Sequence, residues 1–587
     1  MESGEIANQS DVFVVSDNII SSLGFTTEEN IASILNGKTG IAPISDNSIY
    51  PEPFMASAIH KQRLNELLLA NQSDHYTLLE GAMILSISEA LSHTSIDLSA
   101  NRSLLIFSTT KGDISYLSGD FPPSQKTFLW ETAQTVSRHF GIKSQPLVVS
   151  NACVSGVYAV ELGARLLRRK LYEYVIVVGA DTISAFTVSG FQSFKSISPQ
   201  ICKPYDRDRD GLSIGEGIAT LILTNKTEHK NATLPIYIRG GATANDANHI
   251  SGPSRTGDGL HYAIENAIRY AGINKQEVDF MNLHGTATIF NDEMESKAIA
   301  LSGLSQVPAN SLKGYWGHTL GASGVMEIVA CIESLRKNQL FATRGFSELG
   351  VPIPMNIITK NQKQELHTCL KTASGFGGFN SAIILSKEAG KAKTTNKTIG
   401  NLIESKLHCT IKNQTITVND QVVFENKEAI NFKEFIKSAF INLHHTYPKF
   451  YKMDSLSKLG FIAVRYLLQE VHLSEKYDMK KVALLFSNSA SSLDTDIRHQ
   501  QSIQDAKNYF PSPAIFVYTL PNIVLGEICI YEKIQGETAF FVSEQENETI
   551  KDTYLRILLE DTDMEAAIVG TLDCLGEEYQ AEVELFG

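Results

Sequence analysis

PLVVSNACVSGVYAVELGARLL, Pro146 to Leu167, runs from a short strand-forming segment (Pro146 to Val149) through a polar turn into an apolar helix (Val157 to Leu167), with a lone cysteine, Cys153, at the join. A thiol at such a join receives the positive end of the helix dipole, which favours the thiolate that attacks a thioester. Cys153 is therefore the first candidate nucleophile, although a small cysteine packed in an α/β core is the commoner use of the residue. Working outward, short β-branched runs recur between helical stretches: Val12 to Val15, Ser103 to Phe107, Tyr174 to Val178, Ala219 to Leu223 and Ala382 to Leu385. Alternation of this kind argues for a layered α/β fold with buried sheets.

With 587 residues, 43% of them hydrophobic and 20% charged, the chain has the composition of a globular protein of several domains. A formal charge of -14 argues against a general nucleic-acid binder. The seven cysteines include no C-x-x-C pair and are odd in number, which fits reduced thiols rather than a disulfide framework. The start, MESGEIANQSDVFVV, has no basic flank followed by an apolar run, and no stretch approaches the length of a membrane span; a cytoplasmic protein is expected.

Residues 1–388 read as one α/β unit. A polar, cationic stretch around KEAGKAKTTNKTIGNLIESK reads as a linker, 389–408, and a second module occupies 409–587. In that module VALLFSNSASSLDTD matches IFSTTKGDI (Ile106 to Ile114) in kind, an apolar strand running into a Ser/Thr-rich turn and a carboxylate, so a partial internal repeat is expected.

Two histidines join the cysteine. His284 lies in NLHGTAT and His318 in KGYWGHTLGASG, both at strand or helix ends, where α/β folds gather their working groups. SGFGGFN, Ser374 to Asn380, leads into a strand with no Lys-Ser/Thr pair, which excludes a P-loop; its backbone N–H groups suit an oxyanion. A zinc site built on the two histidines and an acid lacks a close-spaced ligand pair, so no metal is expected.

Together, NACVSG, KPYDRDRDGLSIGEG (Lys203 to Gly217), HGTATIFNDEMES (His284 to Ser296), Lys313 with GHTLGASGVME (Gly317 to Glu327) and GFGGFN resemble a β-ketoacyl-acyl carrier protein synthase. That resemblance implies a thiolase-like layered αβαβα fold of two related halves, extended here by a C-terminal half-copy. It implies that Cys153 takes an acyl chain from a carrier-protein thioester, and that His284 and His318 hold the malonyl carbonyl while carbon dioxide leaves. Backbone N–H groups of Cys153 and Phe376 would hold the oxyanion, with the Phe376 side chain as a gate. Lys313, Glu327, Asp292 and Glu295 would support the histidines, and Thr286 and Thr288 would contact the pantetheine arm. No bound cofactor is implied, since the phosphopantetheine belongs to the acyl carrier protein. Ile289 stands where the family often has proline after HGTxT, and Phe379 where GFGGTN has threonine; both are expected near the mouth.

The second module resembles the N-terminal half of the same family, with Gln545 after Glu544 where the cysteine should stand and with neither histidine. This is similar to chain-length factors, which pair with a ketosynthase. The resemblance implies that Thr538 to Ser543 pairs antiparallel with Leu147 to Ala152 in an intramolecular pseudo-dimer bounding the acyl tunnel, a further homodimer being left open. The fusion points to aryl polyene or flexirubin-type pigment pathways. Lys61, Arg63, Lys203 and Arg207 are candidates for docking the acidic carrier protein. Arg165, Arg168, Arg169 and Lys170 are expected to complement the C-terminus of the nucleophile helix. Alternatives are an acyl-transferring, non-elongating enzyme of the same fold and a non-catalytic pathway scaffold.

Overall fold

A computed structural model describes residues 11–231, 234–390, 405–505, 508–545 and 548–587. Most of the linker read from the sequence lies outside those residues. The strand Leu407–Lys412 begins two residues before the boundary expected at 409.

Three five-stranded runs repeat one pattern. The first is ordered Leu147–Val149, Ser103–Ser108, Tyr174–Asp181, Gly217–Thr224, Phe13–Ile20, with two parallel pairings followed by two antiparallel ones. The second, Ala309–Asn310, Phe280–Asn282, Thr368–Gly375, Phe379–Ser386, Ile236–Asn245, has the same signs in the same order. So does the third, Thr538–Val542, Val482–Asn488, Ala566–Leu575, Glu578–Phe586, Leu407–Lys412. The first two are the related halves of a thiolase-like unit and the third is its half-copy.

The strands Ser103–Ser108, Tyr174–Asp181 and Gly217–Thr224 are buried on both faces, which explains why they read as continuous apolar runs rather than alternating ones. Ile236–Asn245 and Thr368–Gly375 escaped the sequence reading. In the former, the paired glycines hide the strand signal because they make room for a helix: a Cβ at Gly240 would lie 2.6 Å from the Ala271 nitrogen of helix Asp258–Ala271.

Between the first two sheets lie two helices, Ser155–Arg168 and Ser323–Lys337, almost wholly buried. Their N-terminal turns meet through glycine. A Cβ at Gly156 would come within 2.7 Å of the Val325 nitrogen, and one at Gly324 within 2.4 Å of the Val157 nitrogen. This contact explains the small residues of both NACVSG and LGASG, and it brings the starts of the two helices side by side.

The third sheet meets the first edge to edge. Phe541 and Val542 pair antiparallel with Val149 and Val148, and the Phe540 N–H donates to Asn151 Oδ1 at 2.8 Å. Each edge strand is thereby covered by the other. At its far side the third sheet continues through Thr415–Val418 and Gln421–Glu425, joined by two tight turns whose central residues, Asn413–Gln414 and Asn419–Asp420, all have positive φ, as the two-residue hairpin turn that follows strand twist requires.

Candidate active site

Cys153 and His318 are carried by the same local device used twice. Ala152 (φ 50°) opens a three-residue turn, Ala152–Val154, that runs into helix Ser155–Arg168; Leu320 (φ 53°) opens Leu320–Ala322, which runs into Ser323–Lys337. A left-handed backbone at a non-glycine residue is held only where its surroundings over-determine it, and it commonly marks a functional turn. His284 lies two residues past the strand Phe280–Asn282.

The three side chains converge. His318 Nε2 lies 3.1 Å from Cys153 Sγ, and one ligating atom from each of Cys153, His284 and His318 falls within 4.8 Å of the others. The two imidazole rings are 5.2 Å apart and nearly perpendicular.

Behind the rings, the hydrogen bonds fix which nitrogen carries the proton. The Leu320 N–H donates to His318 Nδ1 at 3.2 Å, so Nδ1 accepts and Nε2 is the N–H that faces the thiol. Lys313 Nζ lies 3.4 Å from His284 Nδ1, and an ammonium can only donate, so His284 likewise presents Nε2–H. A structural or catalytic zinc would want the reverse, Nδ1–H donated to an oxygen and Nε2 bare. The donor set is right for a metal and its surroundings are wrong.

Lys313 is held by Glu327 at 2.8 Å, and Glu327 also takes Lys371 at 2.7 Å, all three fully buried. Burial raises the Glu327 carboxyl, but the two ammonium groups outweigh it and hold it below the usual range. Glu295 accepts the backbone N–H of His284 at 2.8 Å and of Gly285 at 2.6 Å, fixing the His284 turn. Asp292 accepts from the Tyr205 N–H at 2.8 Å, and burial, with Glu295 beside it, pushes it up to about 7.

Burial, and after it the field of Lys313, depresses both histidines well below 6.5, so both are neutral near pH 7. The thiol behaves otherwise than the helix dipole suggests. Burial pushes Cys153 up to about 12, against the pull of Lys313, so the resting group is a thiol. The local dipole is real, but desolvation is the larger effect.

These residues line a cavity of about 340 Å³. Thr286, Thr288 and Phe376 also line it, the first two sharing a hydrogen bond at 2.8 Å. A Cβ at Gly375 would lie 3.1 Å from the Cys153 nitrogen, so the GFGG turn rests on the Cys153 amide. The Phe376 ring is 5.7 Å from that of Phe194, and its carbonyl accepts from Asn522 of the second module at 2.9 Å.

Two expectations, on Phe379 and on Arg165 with Arg169, need correction. Phe379 is a buried core residue and does not line the cavity; Phe290, beside Ile289, does, and is 74% exposed. None of Lys61, Arg63, Lys203 and Arg207 lines the cavity, and Arg63 and Arg207 are engaged by Glu29 and Glu348. Arg165 is not a free helix-end cation: it is buried, with Glu537 at 2.7 Å and Glu161 at 2.8 Å, while Arg169 reaches Asp561 at 2.7 Å. Both bind carboxylates of the second module. Gln545 is exposed, its carbonyl accepting from Gln145 at 3.1 Å, and it does not line the cavity.

The sequence reading missed Lys371, a lysine inside the apolar strand Thr368–Gly375, and Asp181, which ends Tyr174–Asp181 and accepts the N–H of Gly321 at 2.7 Å and of Thr110 at 3.0 Å. In each case the signal available was a charge embedded in, or ending, an otherwise apolar strand.

Comparison with known proteins agrees with this geometry. Residues 108–229 match the family described as Beta-ketoacyl synthase, N-terminal domain, and residues 236–347 match Beta-ketoacyl synthase, C-terminal domain. A putative polyketide beta-ketoacyl synthase 1 of Streptomyces cyaneus is 30% identical over 275 residues, 44% of this chain and 65% of that protein. The 3-oxoacyl-[acyl-carrier-protein] synthase 2 of Vibrio cholerae is 30% identical over 264 residues, 42% of this chain and 63% of that protein. The chain thus spans a little under two thirds of the length of these curated relatives. Among solved structures, the ketosynthase ApeO in complex with its chain length factor ApeC, from Xenorhabdus doucetiae, is 26% identical with a TM-score of 0.56, covering 66% of this chain and 100% of that one. The PfaC keto synthase-chain length factor superposes with a TM-score of 0.76 over 98% of this chain and 78% of that one; at 14% identity it is a likeness of fold. Among the described residues no helix is long and apolar enough to cross a membrane. The chain therefore carries the thiolase-like ketosynthase fold, with the N- and C-terminal domain matches to β-ketoacyl synthase falling on either side of residue 230.

Proposed function

We propose that this chain is an acyltransferase of the β-ketoacyl-acyl carrier protein synthase type, which lengthens an acyl group by decarboxylative condensation with a malonyl thioester in fatty-acid or polyketide biosynthesis. The observation that carries this reading is the convergence of one thiol and two neutral imidazoles, each presenting Nε2–H, in a single cavity.

In the first step Cys153 Sγ attacks the carbonyl of the acyl thioester. Its S–C bond forms, the carrier's thiol leaves with the proton that Cys153 gives up, and an acyl-enzyme remains. In the second, the carbon–carbon bond of the malonyl group breaks and carbon dioxide departs. The electron pair stays on the α-carbon and spreads onto the thioester oxygen, where the Nε2–H groups of His284 and His318 donate. In the third, that carbon attacks the acyl carbonyl on Cys153. The oxyanion is held by the backbone N–H groups of Cys153 and Phe376, the C–S bond breaks, and the Cys153 thiolate that leaves takes one proton from water. Lys313, held by Glu327, keeps His284 in its donating tautomer throughout; Glu295, with Asp292 beside it, keeps the His284 turn in place.

The acyl and malonyl groups arrive on the phosphopantetheine of an acyl carrier protein, whose arm passes Thr286 and Thr288. The chain supplies no cofactor of its own. Residues 1–388 form the synthase, and the module from 409, without counterparts of Cys153, His284 and His318, acts as a chain-length-factor-like wall joined as an intramolecular pseudo-dimer. The covered edge strands and the Asn522 contact to the GFGG turn support that reading. A polyene pigment pathway rests on the resemblance of the fused, truncated partner.

Mass spectrometry of the protein with acyl- and malonyl-carrier proteins tests this directly. An acyl adduct on Cys153 with malonyl-dependent carbon dioxide release is expected. An adduct without release would mean acyl transfer without elongation, and no adduct would overturn the reading.

A further inference from the structure

The peptide between Phe376 and Gly377 is held at both ends. Its carbonyl accepts from Asn522 Nδ2 at 2.9 Å, and its N–H donates to the Ile250 carbonyl at 2.6 Å. The next two carbonyls are held as well, that of Gly377 by Asn245 Nδ2 at 3.0 Å and that of Gly378 by the Asp246 N–H at 2.8 Å. The turn needs holding from outside. Glycines stand on both sides of Phe376, and Gly377 and Gly378 have φ of 88° and 76°, so local sterics fix little of where it points. Ile250, Asn245 and Asp246 belong to the first module; Asn522 comes from the second, at the start of helix Ile523–Glu532.

Asn522 gives up its ordinary role to make this contact. Asparagine at a helix N-cap usually turns its side-chain oxygen onto the helix's own first N–H groups, as Asn431 does in the same module, accepting from the Glu434 N–H at 2.9 Å. Asn522 holds the same position and makes no cap. The Phe376 carbonyl can only accept, so the amide end facing it is Nδ2, which leaves Oδ1 buried with no hydrogen-bond partner among the described residues. An uncapped helix and a stranded carbonyl both cost stability, and such costs collect where a site needs a group aimed elsewhere. The two backbones are fitted to the contact. A Cβ at Gly526, one turn into the helix, would lie 2.8 Å from the Gly377 carbonyl oxygen, and one at Gly377 would lie 2.9 Å from Asn522 Nδ2.

We propose that Asn522 is a positioning residue for acyl transfer: by pinning the Phe376 carbonyl it aims the Phe376 N–H at the acyl oxygen on Cys153, so that the half-copy contributes to the chemistry itself. This rests on Cys153 being the acyl carrier and Phe376 an oxyanion donor, as argued above. On one side of Phe376, Gly375 is packed against the Cys153 amide. With the carbonyl pinned on the other side, Phe376 cannot turn about either backbone bond without losing a contact.

The test is the rate of adduct formation on Cys153 of the full chain, measured over a range of acyl-pantetheine thioester concentrations. Asn522→Leu keeps the volume and removes both the donor and the stranded Oδ1. Its maximal loading rate should fall about ten- to a hundredfold with the half-saturating concentration unchanged, since the aimed N–H is called on in the transition state. Its urea midpoint should be no lower than that of the unaltered protein. Asn522→Asp gives a second reading. A protonated carboxyl can donate to the Phe376 carbonyl and a carboxylate cannot, so its loading rate relative to the unaltered protein should fall as pH rises through the titration of that group. An unchanged maximal rate in the leucine variant overturns the proposal. So does a rise in the half-saturating concentration alone, or a loss of rate that follows a lowered midpoint while the aspartate variant's ratio stays flat with pH. In all three cases the unaltered protein still loads. No adduct on the unaltered protein overturns the reading of Cys153, and the role of Asn522 with it.

Discussion

Two strand-to-helix junctions occupy equivalent places in equivalent sheets and have different fates. In the first module, Leu147–Val149 leads through a left-handed Ala152 to Cys153 and a helix buried along nearly its whole length. In the second, Thr538–Val542 leads to Glu544 and Gln545, both exposed, and on to Glu548–Arg556. The first helix has Ser323–Lys337 packed against its start through Gly156 and Gly324; the half-copy has no second half to supply such a neighbour among the described residues. The strand edge is kept in both, because each covers the other. The comparison separates two jobs that one motif can hold: sealing a sheet edge needs only a strand, whereas chemistry needs a second helix start bearing a histidine.

The largest expected effect comes from truncating the key residue of each junction. Cys153→Ala should abolish acyl loading, a loss of at least about a thousandfold, as removal of a covalent nucleophile does. Gln545→Ala, at the exposed junction, should load like the unaltered protein by intact-mass measurement. Loading that falls in both would mean that the second junction takes part in the chemistry.

Within the active junction, His284→Ala should still load but lose malonyl decarboxylation by about 10²–10³-fold, the usual value of one oxyanion donor. The ratio of adduct to released carbon dioxide reads this division of labour. Equal loss of both would erase the distinction between nucleophile and donor.

The contact between the modules gives the next effect. Glu537→Ala would leave Arg165 buried with Glu161 alone, and a loss of about 3 kcal/mol in denaturant unfolding is expected from stranding a buried charge. Arg169→Ala, at a pair about a quarter to a third exposed, should cost no more than about 1 kcal/mol. Equal costs would mean that the two pairs are equally hydrated and that the seam is open to water along its length.

The two junctions also differ in how far sequence could reach them. Cys153, His284 and His318 were legible because each stands in a glycine-rich turn at the end of an apolar run, a signal carried by neighbours in the chain. The layered α/β fold with buried sheets followed from the alternation of apolar runs with helices, whereas the parallel-then-antiparallel order of the strands came only with the structure. Lys371 and Asp181 were not legible as site residues, because what they touch lies far away in sequence. Arg165 and Arg169 look like helix-end cations from their neighbours alone; only the arrival of Glu537 and Asp561 from the other module reassigns them. Phe379 failed as a mouth residue for the same reason: it opens a strand buried at every position, and the packing that buries it comes from elsewhere in the chain.

The Cys153 thiol is where a local and a global effect oppose each other, and pH separates them. If the helix dipole governed, the thiolate would be largely formed near neutrality and alkylation would level off there. Burial places the group at about 12 instead, so the thiolate fraction should climb about tenfold for each pH unit throughout the range from neutral to mildly alkaline. Iodoacetamide labelling at Cys153, followed by peptide mass, reads this cleanly, because the other six cysteines are buried. A plateau below pH 9 would show that a ligand-free site is wetter than its packing implies. A steady climb would mean that thiolate forms only when an arriving thioester, already hydrogen-bonded by the site, makes deprotonation worthwhile, which places activation of the nucleophile after substrate binding rather than before it.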